Sequence, residues 1–436
     1  MASQQGFSGS PAQGLWGATV GFFTGFAAVA LFGPTANMFR EAMQLDPGTV
    51  GWLVAMPALS GSILRIPFSA WVDTTGGRKP FLVLLLLSLA GMAGLLALIL
   101  TRYPDDLTPS LFPLVALLGV LCGCGIATFS VGISQVSYWF PAARQGSALG
   151  TYAGVGNLAP GIFSFLLPLA LAGFGLAGAY LAWLCFLALG TFLYFRMGRN
   201  AWYFQLREKG VDPAQAREQA RRAGQEFFPA GSTVTSLVTS ARIWKTWCLV
   251  GIYFTTFGGF IALTAWLPTY WSRYFELSLV SAGALTALYS ILTSLARVAG
   301  GRVADQMGGE RTMLISLGAM LLGAVWMSLA RSPESAVAAE LLLACGMGVA
   351  NAAVFKLVPQ AVPKAVGGAA GWVGGLGAFG GFAIPPLMGH AVSRWGHSGY
   401  AYGFLTFVAL ALVALLLTAV LTRTWGVVRQ PESGVN

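Results

Sequence analysis

Leu64-Arg65-Ile66-Pro67-Phe68-Ser69-Ala70-Trp71-Val72-Asp73-Thr74-Thr75-Gly76-Gly77-Arg78-Lys79 decides the reading of this chain, because it occurs twice. The echo is Ala296-Arg297-Val298-Ala299-Gly300-Gly301-Arg302-Val303-Ala304-Asp305-Gln306-Met307-Gly308-Gly309-Glu310-Arg311. In both copies an Arg precedes the Asp by eight residues and a Gly-Gly pair follows it, with 65, 73 and 76 returning at 297, 305 and 308. Half of the chain is a duplicate of the other half.

Each copy closes an apolar run, 49–72 and 280–304, long enough to cross a bilayer of about 30 Å at about 1.5 Å per residue. The spacing sets Arg65 and Arg297 roughly 12 Å in from the Asp end, close to mid-membrane. An arginine at that depth is costly and usually faces a cavity, a partner or a substrate. The competing reading is a structural Arg neutralised by a carboxylate on a neighbouring helix. It loses ground because no apolar run is read as carrying a mid-membrane Asp or Glu.

The composition agrees with a membrane chain. Hydrophobic residues make up 56% of the 436, charged residues only 9%, and the mean hydropathy is +0.70, which excludes an ordinary soluble domain. The excess of 25 Lys and Arg over 15 Asp and Glu would suggest a nucleic-acid partner in a soluble protein, but here its distribution says more than its sum. Met1 to Gly14 carries no Lys or Arg, so the first helix reads as an uncleaved span and not as a signal peptide.

Apolar runs fall near 15–35, 49–72, 80–101, 111–139, 146–171, 176–196, 245–271, 280–304, 311–331, 336–359, 367–389 and 400–424. This predicts an all-α polytopic membrane protein of twelve transmembrane helices in two pseudo-symmetric six-helix bundles. The N-terminal bundle is 1–196, a polar connection is 197–244, and the C-terminal bundle is 245–436. The connection, with Asp212-Pro213 as a helix start, reads as an amphipathic linker helix. Alternate loops and both tails hold most basic residues, Arg429 included, while the other side has only Arg40, Arg102, Arg273, Arg331 and Arg394. That asymmetry places both termini and the linker in the cytoplasm and the protein in the cytoplasmic (inner) membrane.

A second echo supports the duplication. Gly146, Gly150, Gly154 and Gly156 return as Gly367, Gly371, Gly375 and Gly377. Glycine every four residues makes a bare helix stripe that a neighbouring backbone can approach. The denser runs at Gly154–Gly156 and Gly374–Gly377 fit a close ligand or a flexing helix equally well. Gly375-Leu-Gly377-Ala-Phe-Gly380 matches a dinucleotide fingerprint, but it follows no strand and has no acidic residue about twenty positions on, so no such cofactor is assigned. The five cysteines sit in apolar runs without metal-site spacing, and no metal or redox chemistry is assigned either.

Two six-helix halves around a basic linker resemble the major facilitator superfamily. Ser69-x-x-x-Asp73-x-x-Gly76-Gly77-Arg78-Lys79 is similar to that superfamily's Gly-x-x-x-Asp-Arg-x-Gly-Arg-Lys loop, and Gly301 to Arg311 repeats it. The resemblance implies that Asp73, Arg78, Asp305 and Arg311 latch a cytoplasmic gate. Within the superfamily the chain resembles the nitrate/nitrite porters. The shared features are the paired Args of spans two and eight and the Gly-rich segments Ala153 to Gly161 and Gly371 to Phe382. Phe129 to Pro141 and Asn351 to Pro359 are similar to that family's segments too. The resemblance implies that Arg65 and Arg297 hold the anion, that Tyr253 and Asn157 contribute polar groups, that Phe129 and Phe355 wall the site, and that Gly154, Gly156, Gly161, Gly375 and Gly377 are signature glycines.

The residues suggest a mechanism. Nitrate is planar and weakly hydrated, as a guanidinium is, and two guanidiniums offer it parallel charge-assisted donors. Flat rings would select a flat ion over a tetrahedral one. Two buried Args repel each other when the site is empty, and one anion lowers the local charge from +2 to +1. Closure, with residues 1–196 rocking against 245–436, therefore favours the loaded state.

The coupling expected is nitrate/proton symport, which Lys356 as a third intramembrane base supports, with nitrate/nitrite antiport as the alternative. Antiport is supported by the apparent lack of intramembrane acids: Glu340 is read as opening span ten near the outer face, and His390 and His397 lie at or beyond the outer end of span eleven. Lys356 also has a plain reading, snorkelling to the cytoplasmic face. Another small monovalent anion fits the Arg pair on physics alone. An enzyme is disfavoured by the lack of a catalytic constellation. The partners expected are nitrate, nitrite, protons and the lipid bilayer, with no nucleic acid and with a monomer as the working unit.

Overall fold

Proline and short polar side chains set where the helices start. The computed structural model describes residues 7–229 and 233–426; the rest of both tails, Arg429 included, and 230–232 of the connection lie outside the described residues. Ser10 and Pro11 open α1 (Pro11–Phe26), which is followed by α2 (Ala36–Met43). Asp46 caps α3 (Pro47–Ile63), accepting from the Gly48 and Thr49 N–H groups at 2.8 and 3.2 Å, the usual way to satisfy donors that have no intrahelical partner. α4 (Arg65–Thr75) follows after a one-residue break at Leu64. Pro67 has no N–H to give the Ile63 carbonyl, and a ladder that loses that bond bends or breaks there.

The first half continues with α5 (Arg78–Arg102), α6 (Phe112–Gly123), α7 (Thr128–Ser137), α8 (Ala142–Asn157) and α9 (Ala159–Met197). Gly175 interrupts α9 with φ +66°, where spans five and six meet. The connection forms three short helices, α10 (Trp202–Glu208), α11 (Pro213–Arg222) and α12 (Thr233–Ala241), where a single amphipathic helix was expected. Gly210 and Gly224, both at positive φ, close the first two. Asp212 does start a helix, accepting from the Ala214 N–H at 2.9 Å.

The second half comprises α13 (Trp244–Tyr253), a π-helical turn (Phe254–Gly258), α14 (Gly259–Tyr274), α15 (Leu279–Met307) and α16 (Gly309–Leu329). It ends with α17 (Pro333–Ala361), α18 (Val366–Leu376), α19 (Gly380–Trp395), α20 (Gly399–Tyr402) and α21 (Leu405–Gly426). Among the described residues nine helical segments are long and apolar enough to cross a membrane, and one of them, Arg144–Met197, covers two runs. The broken helices at 11–30 and 366–395 supply the two remaining crossings. The protein is an all-helical, multi-pass membrane protein of two six-helix halves.

The two ends of the molecule differ. At the end away from the Asp73 and Asp305 loops, the halves are in backbone contact. A methyl group on Gly51 would lie 2.6 Å from the Pro385 carbonyl oxygen, one on Gly389 2.5 Å from that of Pro47, and one on Gly283 2.3 Å from that of Ser164. Arg273 Nε donates to Asn37 Oδ1 at 2.7 Å, Asn37 Nδ2 donates to Ser272 Oγ at 3.0 Å, and Arg273 pairs with Glu41. At the loop end the α8 stripe opens. Gly154 faces Val298 of α15 at 3.6 Å, whereas a methyl group on Gly150 or Gly146 would meet nothing within 4 Å. The crevice between α8 and α15 thus widens toward the loop end. On the pseudo-symmetric side α12 lies along the α18 stripe, with the Gly368 N–H on Ser236 Oγ and Trp372 Nε1 on the Leu237 carbonyl, both at 3.0 Å.

Candidate functional site

Five of the helices that reach the centre of the molecule are broken there. α3 gives way to α4 next to Arg65, a 3-10 turn (Cys124–Ala127) precedes α7 and Phe129, and α8 gives way to α9 at Leu158. The π-helical turn (Phe254–Gly258) begins one residue after Tyr253, and a 3-10 turn (Gly377–Phe379) follows α18. α15, which carries Arg297, runs through unbroken. The duplicated arginines therefore stand on different backbones.

Arg65 is 1% exposed. Its Nε donates to the Gly61 carbonyl at 2.8 Å, and Nη1 donates across the halves to the Gly374 carbonyl at 3.0 Å. Two carbonyls hold the side chain, not a carboxylate, which removes the simple structural reading of a buried ion pair. Nη2 is buried and has no partner. Arg297 is half-buried, and its Nη1 is likewise buried and unpartnered.

Two rings lie against both guanidiniums. The Phe129 centroid is 4.9 Å from the Arg65 guanidinium carbon and 5.9 Å from that of Arg297, and Phe257 is 5.3 Å from each. Phe355 touches Arg297 alone, at 5.9 Å. In a desolvated place such cation–π contacts are worth about 2 kcal/mol each. Phe257, which the sequence had not singled out, joins Phe129 and Phe355 against the guanidiniums. Its only signal was position, four residues after Tyr253 and so on the same helix face, where the two rings stack at 4.9 Å and 8°.

Tyr253 is fully buried, and its hydroxyl faces the Arg297 guanidinium without completing a hydrogen bond. Asn157 is 2% exposed; its backbone carbonyl accepts from Ser294 Oγ on α15 at 3.0 Å, one turn before Arg297, and its Oδ1 is unpartnered. Buried polar atoms almost always find partners. Unmet groups on Arg65, Arg297, Tyr253 and Asn157, all at the interface of the halves or lining it, make this a place suited to receive a polar guest. Two of the four residues are cations and one is a phenol, a set of donors whose chemistry suits an anion.

The signature glycines separate by function. A methyl group on Gly156 would sit 1.9 Å from Phe22, one on Gly377 2.7 Å from Tyr253, one on Gly375 2.7 Å from Ile66, and one on Gly161 2.9 Å from Ile291. Gly154 has room, at 3.6 Å from Val298. Both dense runs coincide with helix breaks, in favour of close approach and a bend.

Lys356 does not join the cluster. Its Nζ donates to the Ala304 carbonyl and pairs with Asp305, each at 2.7 Å, so it has snorkelled to the loop end. Tyr138 donates to Asp73 at 2.6 Å; Arg78 Nη2 donates to the Phe195 carbonyl at 3.0 Å, and Arg311 is exposed. These ties at Asp73, Arg78 and Asp305 lie within one half each.

The expectation for Glu340 is overturned. Glu340 does not open its helix at the surface. α17 begins at Pro333, and Glu340 is 0% exposed. A membrane-buried carboxyl is present after all.

Fold and site together define a polytopic carrier with two arginines at the interface of its halves. A family model described as Major Facilitator Superfamily matches residues 18–385 and 270–435. A probable nitrate/nitrite antiporter, NarK1, of Thermus thermophilus is 30% identical over 427 residues, covering 92% of this chain and 89% of that protein. A probable nitrate/nitrite transporter, NarK2, of Mycobacterium tuberculosis is 31% identical over 400 residues, 91% of this chain and 93% of its own. A solved structure of the Escherichia coli xylose transporter XylE, described as partially occluded and inward open, superposes with a TM-score of 0.71 at 15% identity, over 97% of this chain and 100% of that one. The chain belongs to the Major Facilitator Superfamily and, within it, to the nitrate/nitrite porters.

Proposed function

We propose that this protein carries nitrate, and nitrite as a second substrate, across the cytoplasmic membrane by alternating access, as a nitrate/proton symporter. The observation that carries the reading is the pair of unpartnered, buried guanidinium nitrogens, Arg65 Nη2 and Arg297 Nη1, against the shared rings of Phe129 and Phe257. A flat anion lying along the rings meets both donors in their own planes, while a tetrahedral oxyanion needs a thicker slot. Asn157 and Tyr253 complete the polar lining. The relatives' names, which speak of nitrate and nitrite, support the choice of anion.

The loop end is the cytoplasmic end on the charge asymmetry, so the arrangement described here is closed outside and opening inside. Residues 1–196 and 245–436 are the rocking units, 197–244 is the cytoplasmic linker, both termini are cytoplasmic, and one chain encloses the path. The Asp73, Arg78, Asp305 and Arg311 loops form their interhalf latch in the opposite, outward-open arrangement. Lys356, held by Asp305, belongs to that latch and not to the proton path.

Antiport is the second reading, and one observation favours it. Among the described residues neither site arginine is bonded to a carboxylate, so an empty site keeps its +2 charge and resists closure, as an obligatory exchanger must. Proteoliposomes separate the two. Acid outside drives nitrate into anion-free vesicles under symport, whereas uptake that needs internal nitrite or nitrate at every pH establishes exchange. No nitrate movement in either overturns the assignment.

Two further results are expected. Tyr253→Phe removes one donor and raises the nitrate KM roughly tenfold, the effect of about 1.4 kcal/mol, with little change in maximal rate; an unchanged KM removes Tyr253 from the site. Asn37→Ala cuts the outer tie to Arg273 and Ser272 and speeds labelling of a cysteine placed at Gly48 by about two- to fivefold.

A further inference from the structure

The second half of the molecule holds an acid that the anion site does not use. Glu340 is 0% exposed, and neither carboxylate oxygen has a hydrogen-bond partner. The groups facing it are neutral. From α14 come Trp271, whose indole N–H faces the carboxyl without completing a hydrogen bond, and Tyr270, whose hydroxyl is also unpartnered. From α15 comes Tyr289, which donates to Met347 at 3.0 Å. The stretch of α16 packed along α17, Thr312–Leu329, carries no charged residue, and α13 and α18 offer none at this level. Arg331, past the end of α16, donates instead to Tyr274 at 2.7 Å.

An ionised carboxylate in that setting has no counter-ion and no donor, and burying one is among the most unfavourable arrangements in a membrane protein. The pocket accepts the neutral acid. Two donors stand beside it, ready for the charged form after a small shift of α14 against α17.

The pocket is connected to the anion site. Tyr289, Thr293 and Arg297 lie four residues apart on one face of α15, and Thr293 Oγ1 donates to the Tyr289 carbonyl at 2.8 Å, so the face runs from the acid toward the guanidinium over about 12 Å. The rings of Tyr289, Phe260 and Phe257 also follow one another at 6.2 and 5.8 Å. Phe257 is the ring that both arginines share.

Resting on the symport reading above, we infer that Glu340 binds the proton that is carried with nitrate. In the outward-open arrangement its carboxylate takes a proton from external water. The outer end then closes over the neutral acid, and the proton leaves toward the cytoplasm when α15 and α17 rearrange around the released anion. The step transfers one proton and needs no other reactant.

The test uses the full-length protein in proteoliposomes containing a pH-sensitive dye, with nitrate as the probe. Wild type is expected to acidify the lumen on nitrate addition. Glu340→Gln, a shape match for the neutral acid, is expected to lose nitrate-coupled proton entry by at least about tenfold, while nitrate/nitrate counterflow stays within about twofold of wild type. A structural role would instead lower both together. Proton entry at the wild-type rate in E340Q overturns the assignment. Should E340Q fail to insert, Glu340→Asp decides. Coupled entry with a displaced pH dependence supports Glu340, and an unchanged pH profile overturns it. If wild type exchanges nitrate for nitrite yet moves no proton, the symport reading itself has failed and the assignment falls with it, a result seen before any variant is made.

Discussion

Arg65→Lys is expected to lower nitrate uptake and counterflow at least about a hundredfold while leaving the protein folded. The guanidinium has three tasks: Nε on Gly61, Nη1 on Gly374 of the other half, and Nη2 left for the anion. An ammonium keeps the charge but has one nitrogen and no plane, so it cannot hold the two carbonyls and present a third donor in line with the rings. Charge-assisted hydrogen bonds are worth about 1.5–3 kcal/mol each, and losing two corresponds to roughly a hundredfold or more. Counterflow and thermal unfolding of the purified variant check this. Uptake within about threefold of wild type would remove Arg65 from the binding role. Arg297→Lys is expected to be milder, roughly tenfold, because Arg297 is half-exposed and keeps its three cation–π neighbours.

Gly156→Ala is expected to be the most damaging of the glycine changes. The added methyl would meet Phe22 Cδ1 at 1.9 Å and Cε1 at 2.2 Å. Phe22 has nowhere to go, because Phe26, Tyr152 and Phe129 surround it at 4.8, 5.1 and 5.3 Å. Pushing the ring pushes Phe129, which lies over Arg65. Overpacking of this kind costs about 1–3 kcal/mol, so the variant should melt earlier and transport nitrate at a fraction of the wild-type rate. Two controls identify the cause. Gly154→Ala, with its nearest contact at 3.6 Å, should be close to silent, and Phe22→Leu should restore part of the loss in G156A. Equal damage from G154A and G156A would mean that the stripe works through backbone flexibility and not through this contact.

The two glycines show what a pattern in sequence carries. A four-residue repeat marks a helix face that another element approaches, and the approach happens: α8 faces α15, and α18 faces α4 and α12. The repeat gives no depth along the helix. Gly146 and Gly150 lie where the halves diverge, Gly154 lies where α15 comes into contact, and Gly156 turns instead onto Phe22 of its own half. The same limit applies to the arginines. Their echo identifies both as intramembrane cations, but Pro67 breaks the helix beside Arg65 while Arg297 stays on an unbroken one, and their burial differs accordingly.

Hydropathy and duplication determined the class of molecule, the number of crossings and the two cations, because crossing a bilayer demands long apolar helices and leaves charged exceptions conspicuous. Which rings flank those cations was decided only by tertiary structure. Phe257 shares a helix face with Tyr253, but nothing in the spacing says that this face meets both guanidiniums, one of them on α4 and the other on α15. The fate of the ionisable groups was decided there too. Lys356 and Glu340 are sixteen residues apart on one helix, α17; one reaches a carboxylate at the loop end, and the other is enclosed without a counter-ion. Sequence states the charge a side chain can carry, but its surroundings are set by helices far away in the chain, and those surroundings decide whether the charge is kept.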